Sequence, residues 1–385
     1  MAQRDLLFDV SRLIWRTWSG RLPTGIDRVC HAYLEHYGSR SLAVLQRRNF
    51  RVILSERHSE RLFALLKAGP RPGFRRKLVT LLAAAAVQLI RRDKTRGRIY
   101  LNVGHTGLDA PGLSEWLGAT GWKPVFLVHD LIPISHPQFC RPGEAERHRL
   151  RMRAVLESAA GVIVNSAATR EAFLDFAAGE HRTSPPIQVA WLATRGETEV
   201  AGLPASHRPT FVVIGTLEAR KNHILLLRIW ERLSAEMKDS APRLVLIGQR
   251  GWEADDVFAL LDGSEALRDA VLELDTCDDA TLQAWLKQST ALLMPSFVEG
   301  FGIPVIEALE AGLPVIASEQ PVFREIAGDI PMYLDPHDEQ AWEAAIRSYC
   351  EDDQDRSRQL VALSNYRRFS WQDHFAAVDS WLATL

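Results

Sequence analysis

Short apolar runs alternate with helix-length amphipathic stretches along the second half of this chain. These runs have the composition of buried strands, and they are FVVIG (211–215), LVLIG (244–248), ALLMP (291–295) and PVIAS (314–318). Strands that are apolar on both faces are typical of a parallel sheet that helices cover on both sides. The pattern therefore predicts a Rossmann-like α/β unit in this half.

The first half alternates in the same way but less regularly. Its strand-like runs are LLFDV (6–10), IYLNVG (99–104), PVFLVHD (124–130) and GVIVNS (161–166). A chain of 385 residues exceeds a single typical core, so we expect two α/β, Rossmann-like domains. Residues 193–209, rich in glycine, proline and polar residues, look like the link between them. We assign residues 1–195 to the first domain, 196–209 to the linker, 210–366 to the second domain and 367–385 to a C-terminal helix.

Composition narrows the class of protein. Hydrophobic residues make up 46% of the chain and charged residues 24%, as in a soluble globular protein. A net charge of −2 gives no general attraction to nucleic acid. The four cysteines form no C-x-x-C pair, so neither a zinc site nor a redox motif is indicated. The chain shows no signal-peptide pattern and no run of the ~20 apolar residues that span a bilayer, so we expect a cytoplasmic protein.

The stretch MPSFVEGFGIPVIEALEAGLPVIAS (294–318) carries the most specific chemistry. Two carboxylates, Glu299 and Glu307, flank a pair of glycines in a predicted strand–loop–helix. Pro304 suits the first turn of that helix and Gly312 suits its end. In a doubly wound sheet, ligands bind at this edge. The helix N-terminus favours a diphosphate, and carboxylates accept hydrogen bonds from sugar hydroxyls, so the stretch suits a nucleotide sugar.

This stretch resembles the E-x7-E signature of retaining GT-B glycosyltransferases, in particular the large family 4 group. The likeness is best over about residues 211–329 and weaker before residue 126. The resemblance implies a GT-B fold, in which two Rossmann-like domains face a central cleft and a C-terminal helix returns to the first domain. An ordinary strand–loop–helix of an α/β domain is the alternative, because motif matches include false positives.

The resemblance also implies roles for residues of the motif. Glu307 would hold the ribose hydroxyls of the donor, and Glu299 would bind the hydroxyls of the donor sugar. The backbone N–H groups of Gly300, Phe301 and Gly302 would contact the sugar or the phosphate.

The segment GTLEARKNH (215–223) directly follows the first predicted strand of the second domain. Gly215 frees the backbone at the turn, and Arg220 and Lys221 can each donate hydrogen bonds to a diphosphate. Because the diphosphate is the leaving group, cations here would stabilise the transition state. The segment is similar to that of bacterial polysaccharide mannosyltransferases, although many relatives have Gly-Arg where this chain has Gly-Thr. A solvated, cationic helix start is the alternative.

Other candidate residues lie at the ends of further predicted strands. We expect the nucleobase to pack against the loops near Gln249 and Arg250 and near residues 274–277. His129 and Asp130 end a strand of the first domain. By resemblance His129 contacts the donor sugar, and Asp130 would orient its ring.

The loop of residues 23–28, which includes Gly25 and Arg28, corresponds to a glycine-rich loop of GT-B relatives that approaches phosphate or acceptor. It has one glycine where the relatives have two, so we select Gly25, with Arg28 as an anion contact. Asn165 and Ser166 end another strand and are expected to line the cleft.

Two other enzyme classes find little support. A metal-dependent GT-A enzyme needs a D-x-D motif, and the one match, Asp353-Gln354-Asp355, lies in an acidic helical run that a solvated helix face explains. A dinucleotide oxidoreductase needs G-x-G-x-x-G, which does not occur. We expect neither a metal nor a cofactor.

The segment LVTLLAAAAVQLI (78–90) is nearly all apolar and is flanked by basic residues on both sides. The flanking residues are Arg71, Arg75, Arg76 and Lys77 before it, and Arg91, Arg92, Lys94, Arg96 and Arg98 after it. One interpretation is a buried helix of the first domain. The other is a surface that docks on anionic lipid.

The resemblance implies a retaining glycosyltransferase of bacterial surface polysaccharide assembly. It would move a hexose, with mannose from GDP-mannose as the best guess, to a carbohydrate or lipid-linked acceptor. An isomerase or hydrolase that acts on nucleotide sugars without an acceptor, such as a 2-epimerase, is one alternative. A nucleotide-sugar-binding protein that has lost its activity is another.

Overall fold

A computed structural model describes residues 4–20, 24–47, 50–85, 95–194, 196, 202–203, 207–351 and 354–385. These residues form two compact units. The first unit runs to Ile134 and also takes in Ala145–Leu192 and Trp371–Leu385. The second unit takes in Ser135–Glu144 and the described part of Ala193–Ser370.

The first unit contains a seven-stranded sheet within the described residues. Its strands are β1 (Leu6–Asp9), β2 (Ser41–Arg47), β3 (Phe50–Ile53), β4 (Ile99–Asn102), β5 (Lys123–Val128), β6 (Gly161–Val164) and β7 (Ile187–Val189). They lie in the order β3-β2-β1-β4-β5-β6-β7, and only the edge strand β3 is antiparallel to its neighbour. The central strands β1, β4, β5 and β6 are almost wholly buried, as expected of strands that helices cover on both faces.

Helices connect these strands. They are α1 (Ser11–Ser19), α2 (Gly25–Tyr37), α3 (Glu56–Lys67), α4 (Phe74–Ala85), α5 (Leu113–Thr120), α6 (Ile132–Ser135), α7 (Glu144–Ser158) and α8 (Ala167–Gly179). The core between sheet and helices includes the fully buried rings of Tyr100, Phe126 and Phe173.

The second unit contains a six-stranded sheet whose paired strands are all parallel. Its strands are β8 (Thr210–Ile214), β9 (Arg243–Ile247), β10 (Val271–Leu274), β11 (Ala291–Met294), β12 (Val315–Ser318) and β13 (Met332–Leu334). Its helices are α9 (His223–Met237), α10 (Asp255–Gly263), α11 (Asp279–Gln288), α12 (Ile303–Glu310), α13 (Pro321–Ala327), α14 (Glu339–Tyr349) and α15 (Gln354–Leu363). A separate core contains Phe211, Trp230 and Trp342.

Each sheet has a point at which the strand order reverses. In the first unit it lies between β1 and β4, and in the second unit between β8 and β11. Ligands of doubly wound sheets bind outside the carboxyl ends of the strands at such points. The loops that follow these four strands are therefore the places in which to look for a site.

The last helix, α16 (Trp371–Leu382), packs in the first unit. The Tyr33 hydroxyl lies 2.9 Å from Nε2 of His374, and the Tyr37 hydroxyl donates a hydrogen bond of 3.0 Å to Asp379. The ring of Trp381 lies so close to Gly161 that a Cβ there would come within 2.5 Å of it. Side chains of α2 and a glycine of β6 thus hold this helix.

The sequence predicts the fold class correctly, since both units are Rossmann-like and their sheets are parallel apart from β3. The division of the chain differs from our expectation at three places. Residues 193–194, which we assigned to the first domain, and residues 367–370, which we assigned to the C-terminal helix, lie in the second unit. Residues 135–144, which we assigned to the first domain, pack in the second unit. Of the segment 78–90, the described part belongs to α4, which buries Phe74, Leu78 and Ala85, while residues 86–90 lie outside the described residues.

Candidate functional site

A buried cluster of four charged side chains lies at the carboxyl edge of the second sheet. The carboxylate of Glu299, in the loop after β11, lies 2.8 Å from Arg220 and 2.5 Å from the Nζ atom of Lys221. Both cations come from the loop after β8, and Arg220 also contacts Glu218 at 2.7 Å. Because the two loops follow adjacent strands, the fold brings together residues that are 78 positions apart in the sequence.

Backbone hydrogen bonds tie the same two loops together. The Phe297 N–H donates to the Arg220 carbonyl at 2.8 Å, and the Arg220 guanidinium donates to the Val298 carbonyl at 3.1 Å. The positions of Arg220 and Glu299 are therefore fixed by main-chain as well as side-chain contacts.

The charges of the cluster set its protonation states. Burial alone would raise the pKa of Glu299, but the positive charges of Arg220 and Lys221 outweigh burial and lower this pKa to about 2. Burial lowers the pKa of Lys221, an effect that the negative charge of Glu299 opposes. Burial raises the pKa of Glu218. At neutral pH Glu299 is thus a carboxylate, which can only accept hydrogen bonds.

Three residues that the sequence predicts as separate ligand contacts form ion pairs with one another. The sequence motifs predict that Arg220 and Lys221 bind a diphosphate and that Glu299 binds sugar hydroxyls, as separate contacts. In the structure these three side chains bind each other. A ligand that engages the cations must therefore share them with Glu299.

Two glycines of the site have a positive φ, a backbone conformation that favours glycine. Gly302 precedes α12 with φ of 103°, and a Cβ there would lie 2.6 Å from the ring of Phe323. Gly215 has φ of 141° and lies against the Lys221 side chain, with a Cβ position 3.4 Å from its Cε atom. Phe301 buries its ring, while Gly300 remains partly exposed.

Helix α12 carries the second carboxylate of the motif. It begins at Ile303 and ends at Glu310, with Pro304 in its first turn. Glu307 is 6% exposed, although it is an acidic side chain on a helix. Acidic side chains are almost never buried to this degree without a partner or a function.

Arg250, a candidate donor contact, forms ion pairs with two acidic side chains of the second unit. Its guanidinium contacts Asp262 at 2.6 Å and Glu273 at 2.9 Å, and it lies over the ring of Phe258. The hydrogen bonds that Arg250 donates to Asp262 and Glu273 raise the pKa of its guanidinium. The side chain is thus held by acidic neighbours, and its role in donor binding stays a prediction.

Residues 135–144 form a strap in the second unit, a placement that the sequence does not predict. Phe139 stacks on Phe297, with ring centres 5.2 Å apart and planes at 1°. Arg141 lies 5.0 Å from the ring centre of Trp252, in the loop after β9. The strap therefore contacts the loops after β9 and β11. The prolines of SHPQFCRPGE indicate a connecting segment but do not reveal what it packs against.

His129 lies at the carboxyl end of β5 in the first unit. Its Nε2 atom is 2.8 Å from the carbonyl oxygen of Val103. A carbonyl can only accept, so Nε2 carries the hydrogen and Nδ1 has the free lone pair. Burial lowers the pKa of His129 to about 4, so the ring is neutral at pH 7. Our expectation that Asp130 orients this ring is wrong, because its carboxylate accepts from the Ile132 N–H at 3.1 Å instead.

The loop that contains Gly25 forms the start of α2. Thr24 and Asp27 cap this helix, and Gly25 is its first residue. Asp27 is 1% exposed and pairs with Arg12 at 2.7 Å and with Arg16 at 2.8 Å. Burial raises the pKa of Asp27, but the positive charge of Arg12 and the Thr24 hydrogen bonds lower it on balance. This loop thus forms a helix cap with a buried ion pair, and the ligand contacts of Gly25 and Arg28 stay predictions.

Two further residues of the first unit support the backbone. The side-chain amide of Asn165 donates to the His129 carbonyl at 2.8 Å, and Ser166 accepts from the Thr169 N–H as the cap of α8. Both residues are buried, so they stabilise the chain around His129.

The acidic run near the end of the chain forms ion pairs. Asp355 contacts Arg358 at 2.8 Å and Tyr349 at 3.0 Å, whereas Asp353 lies outside the described residues. Within the part of the chain that the structure describes, no group of three histidine, cysteine or acidic residues could hold a metal ion.

Comparison with known families matches residues 196–362 to glycosyl transferases group 1. Serotype-specific mannosyltransferase WbdA of Escherichia coli is 30% identical over 232 residues, which are 56% of this chain and 28% of the relative. O-antigen chain mannosyltransferase B of Escherichia coli is 34% identical over 162 residues, 42% of each chain. The chain thus spans less than half the length of these relatives. D-inositol 3-phosphate glycosyltransferase of Xylanimonas cellulosilytica is 26% identical and is matched over 81% of this chain and 79% of its own.

Solved structures show the same fold. HepE of Anabaena, in complex with UDP and glucose, superposes with a TM-score of 0.67 at 16% identity and covers 99% of both chains. Sucrose-phosphate synthase of Thermosynechococcus elongatus gives a TM-score of 0.60 at 17% identity over 98% of both chains. These neighbours are GT-B proteins, which confirms the expected GT-B fold class.

The neutral, buried ring of His129 makes stability depend on pH. Its pKa of about 4 lies below the ordinary value of 6.5, so between these values the unfolded chain binds a proton that the folded chain does not. The stability that this group contributes is full above pH 6.5 and is lost as the pH falls towards 4, by up to about 1.4 kcal/mol per pH unit. We expect His129→Asn to reduce the slope of unfolding free energy against pH in this window.

Urea unfolding at a series of pH values from 7 to 4 measures this slope. His181→Asn serves as the control, because His181 is exposed at the end of α8. An unchanged slope in His129→Asn would contradict the burial of a neutral imidazole.

Proposed function

We propose that this chain, whose residues 196–362 match glycosyl transferases group 1, is a retaining glycosyltransferase. It moves a hexose from a nucleoside diphosphate to a carbohydrate or lipid-linked acceptor. Mannose from GDP-mannose is our choice of donor, and bacterial surface polysaccharide assembly our choice of process. The names of the Escherichia coli relatives, both mannosyltransferases, support these choices.

The observation that carries the proposal is the cluster of Glu299, Arg220 and Lys221 at the switch point of the second sheet. A departing nucleoside diphosphate gains negative charge, and two fixed cations in a site with little water stabilise that charge. The ionised Glu299 accepts hydrogen bonds from hydroxyls of the donor sugar, and Glu307 accepts those of the ribose. His129 accepts a hydrogen bond from a further hydroxyl of the sugar through the lone pair on its Nδ1 atom.

Retention requires that the acceptor attack the face that the diphosphate leaves. In this proposal a phosphate oxygen of the leaving group takes the acceptor proton, and no carboxylate of the chain acts as a nucleophile. The cations then hold the leaving group close to the reacting carbon. The relatives named above are transferases, which gives no support to an epimerase or hydrolase that works without an acceptor.

The buried carboxylate of α12 offers a test of donor binding. We expect Glu307→Gln to keep the fold and to weaken donor binding by about 1–3 kcal/mol, because a charged hydrogen-bond acceptor is lost. Isothermal calorimetry with GDP-mannose measures the change. Glu310→Gln is the matched control, since Glu310 lies in the same helix but contacts Thr194 and Arg368. Equal affinities of wild type and Glu307→Gln for GDP-mannose would show that Glu307 does not bind the ribose.

The cation pair offers a test of catalysis. Removing Arg220 and Lys221 alone would leave the buried Glu299 unpaired, which destabilises a fold strongly. We therefore compare Arg220→Gln/Lys221→Gln in a Glu299→Gln background with Glu299→Gln itself. Turnover should fall more than donor affinity, because leaving-group charge grows towards the transition state. Equal losses in kcat and in affinity for the nucleoside diphosphate would instead indicate ground-state binding.

We further propose that the chain works in the cytoplasm and binds loosely to the inner face of the membrane. Within the described residues no helix has the length and apolar character needed to cross a bilayer. Helix α4 buries one face and exposes Arg75 and Arg76 on the other. Arg75 also lies over the ring of Trp18, and the nearby Trp15 of α1 is 58% exposed. Exposed tryptophans beside arginines suit a lipid interface.

We expect weak, salt-sensitive binding to anionic liposomes, since each arginine near such a surface contributes about 1 kcal/mol. Arg75→Ser/Arg76→Ser should reduce co-flotation at low salt. The control is Arg228→Ser/Arg268→Ser, which removes the same charge from exposed positions of the second unit. Arg91 and Arg92, which the sequence also predicts to contact anionic lipid, lie outside the described residues. Absence of co-flotation at low salt would imply an acceptor that is not in a membrane.

A further inference from the structure

Two histidines that follow the adjacent strands β4 and β5 of the first sheet form a reciprocal pair. His105 follows β4, and its Nε2 atom is 2.8 Å from the carbonyl oxygen of Leu127 in β5. His129 follows β5, and its Nε2 atom is 2.8 Å from the carbonyl oxygen of Val103 just after β4. Each ring thus caps the neighbouring chain, and the ring centres lie 5.1 Å apart.

The carbonyl partners fix the tautomer of both rings. Because a carbonyl oxygen cannot donate, His105 and His129 each carry their hydrogen on Nε2 and a lone pair on Nδ1. Within the described residues the structure gives neither Nδ1 atom a hydrogen bond. Burial, together with the neighbouring His129 and His148, lowers the pKa of His105 well below its ordinary value. Both rings therefore present a neutral acceptor, which suits a hydroxyl and not a phosphate.

The backbone of His105 is held in an unusual conformation. Its φ of 57° is left-handed, a region that few residues other than glycine enter, although Asn, Asp and His do so more often than the rest. His181 has a similar φ of 55°, but it is exposed and lies just after the end of α8, where such a conformation is common. His105 is 9% exposed and lies directly after Gly104, where a Cβ would come within 2.8 Å of Arg12. A helix end does not account for the conformation of His105.

We propose that His105 is a second sugar-binding residue, whose Nδ1 atom accepts a hydrogen bond from a hydroxyl of the transferred hexose next to the hydroxyl that His129 takes. This role rests on the proposed function, and it makes His105 a determinant of which hexose is used. The strained conformation then places the ring beside His129, and the Leu127 carbonyl holds its tautomer. A neutral acceptor pair rejects a donor that lacks the matching hydroxyl, because the site's polar atom is left unpaired.

The first test separates binding from folding. His105→Gly relieves the left-handed conformation, and His105→Asn tolerates it while offering an amide donor to the Leu127 carbonyl. His181→Gly is the matched control, because it makes the same backbone change at an exposed position. We expect kcat/KM with the intact donor to fall about 3- to 10-fold in both His105 variants, as for the loss of one hydrogen bond, and to stay unchanged in His181→Gly.

The decisive readout is a series of monodeoxy analogues of the donor hexose that wild type uses. For one analogue, wild type and His105→Gly should have equal kcat/KM, because the hydroxyl that His105 binds is absent. A purely structural role would lower kcat/KM by the same factor for every analogue, and that result would overturn the proposal while leaving the glycosyltransferase function intact. Failure of wild type to transfer any hexose would overturn the proposed function itself, and this role with it.

Discussion

The structure of the second unit depends on the pairing of its buried charged side chains. Glu299 and Lys221 are largely removed from water, and an isolated charge in that position would cost several kcal/mol. The cost is offset because Arg220 and Lys221 both contact the same carboxylate. Since the partners belong to loops after two adjacent strands, the cluster forms only when β8 and β11 are paired. The same contacts that make the fold specific thus assemble the site.

The two units present different chemistry at the carboxyl edges of their sheets. The second unit offers fixed cations and an ionised carboxylate, which suit a diphosphate and sugar hydroxyls. The first unit offers neutral imidazoles whose tautomers are set by main-chain carbonyls. In both units carbonyl groups in or just after a neighbouring strand hold side chains of the site, namely Arg220, His105 and His129, so little reorganisation of these groups is needed when a substrate binds. The strap of residues 135–144 adds to this support, because Phe139 packs on Phe297, two residues before Glu299.

Local sequence patterns predict what is local. The apolar runs predict β8, β9, β11 and β12 within a residue or two, and Pro304 and Gly312 bracket α12 closely. The edge strands β7, β10 and β13 lack a fully buried run and could not be recognised in this way. Contacts between distant segments are also invisible to such patterns. Arg250 forms ion pairs with Asp262 and Glu273. Asp130 accepts a hydrogen bond from the Ile132 N–H and does not orient His129. The fold decides such pairings, and the spacing of residues along the sequence does not reveal them.

The central claim is that this chain binds a nucleoside diphosphate hexose at the charged edge of the second sheet. The most direct measurement is thermal unfolding of the whole chain with GDP-, UDP- and dTDP-hexoses in turn. A donor at 100 times its Kd stabilises a protein by about 2.7 kcal/mol, which gives a clear rise in Tm. We predict such a rise for one nucleotide, and a rise also for its free nucleoside diphosphate. A folded protein whose Tm is unchanged by every donor would contradict the account.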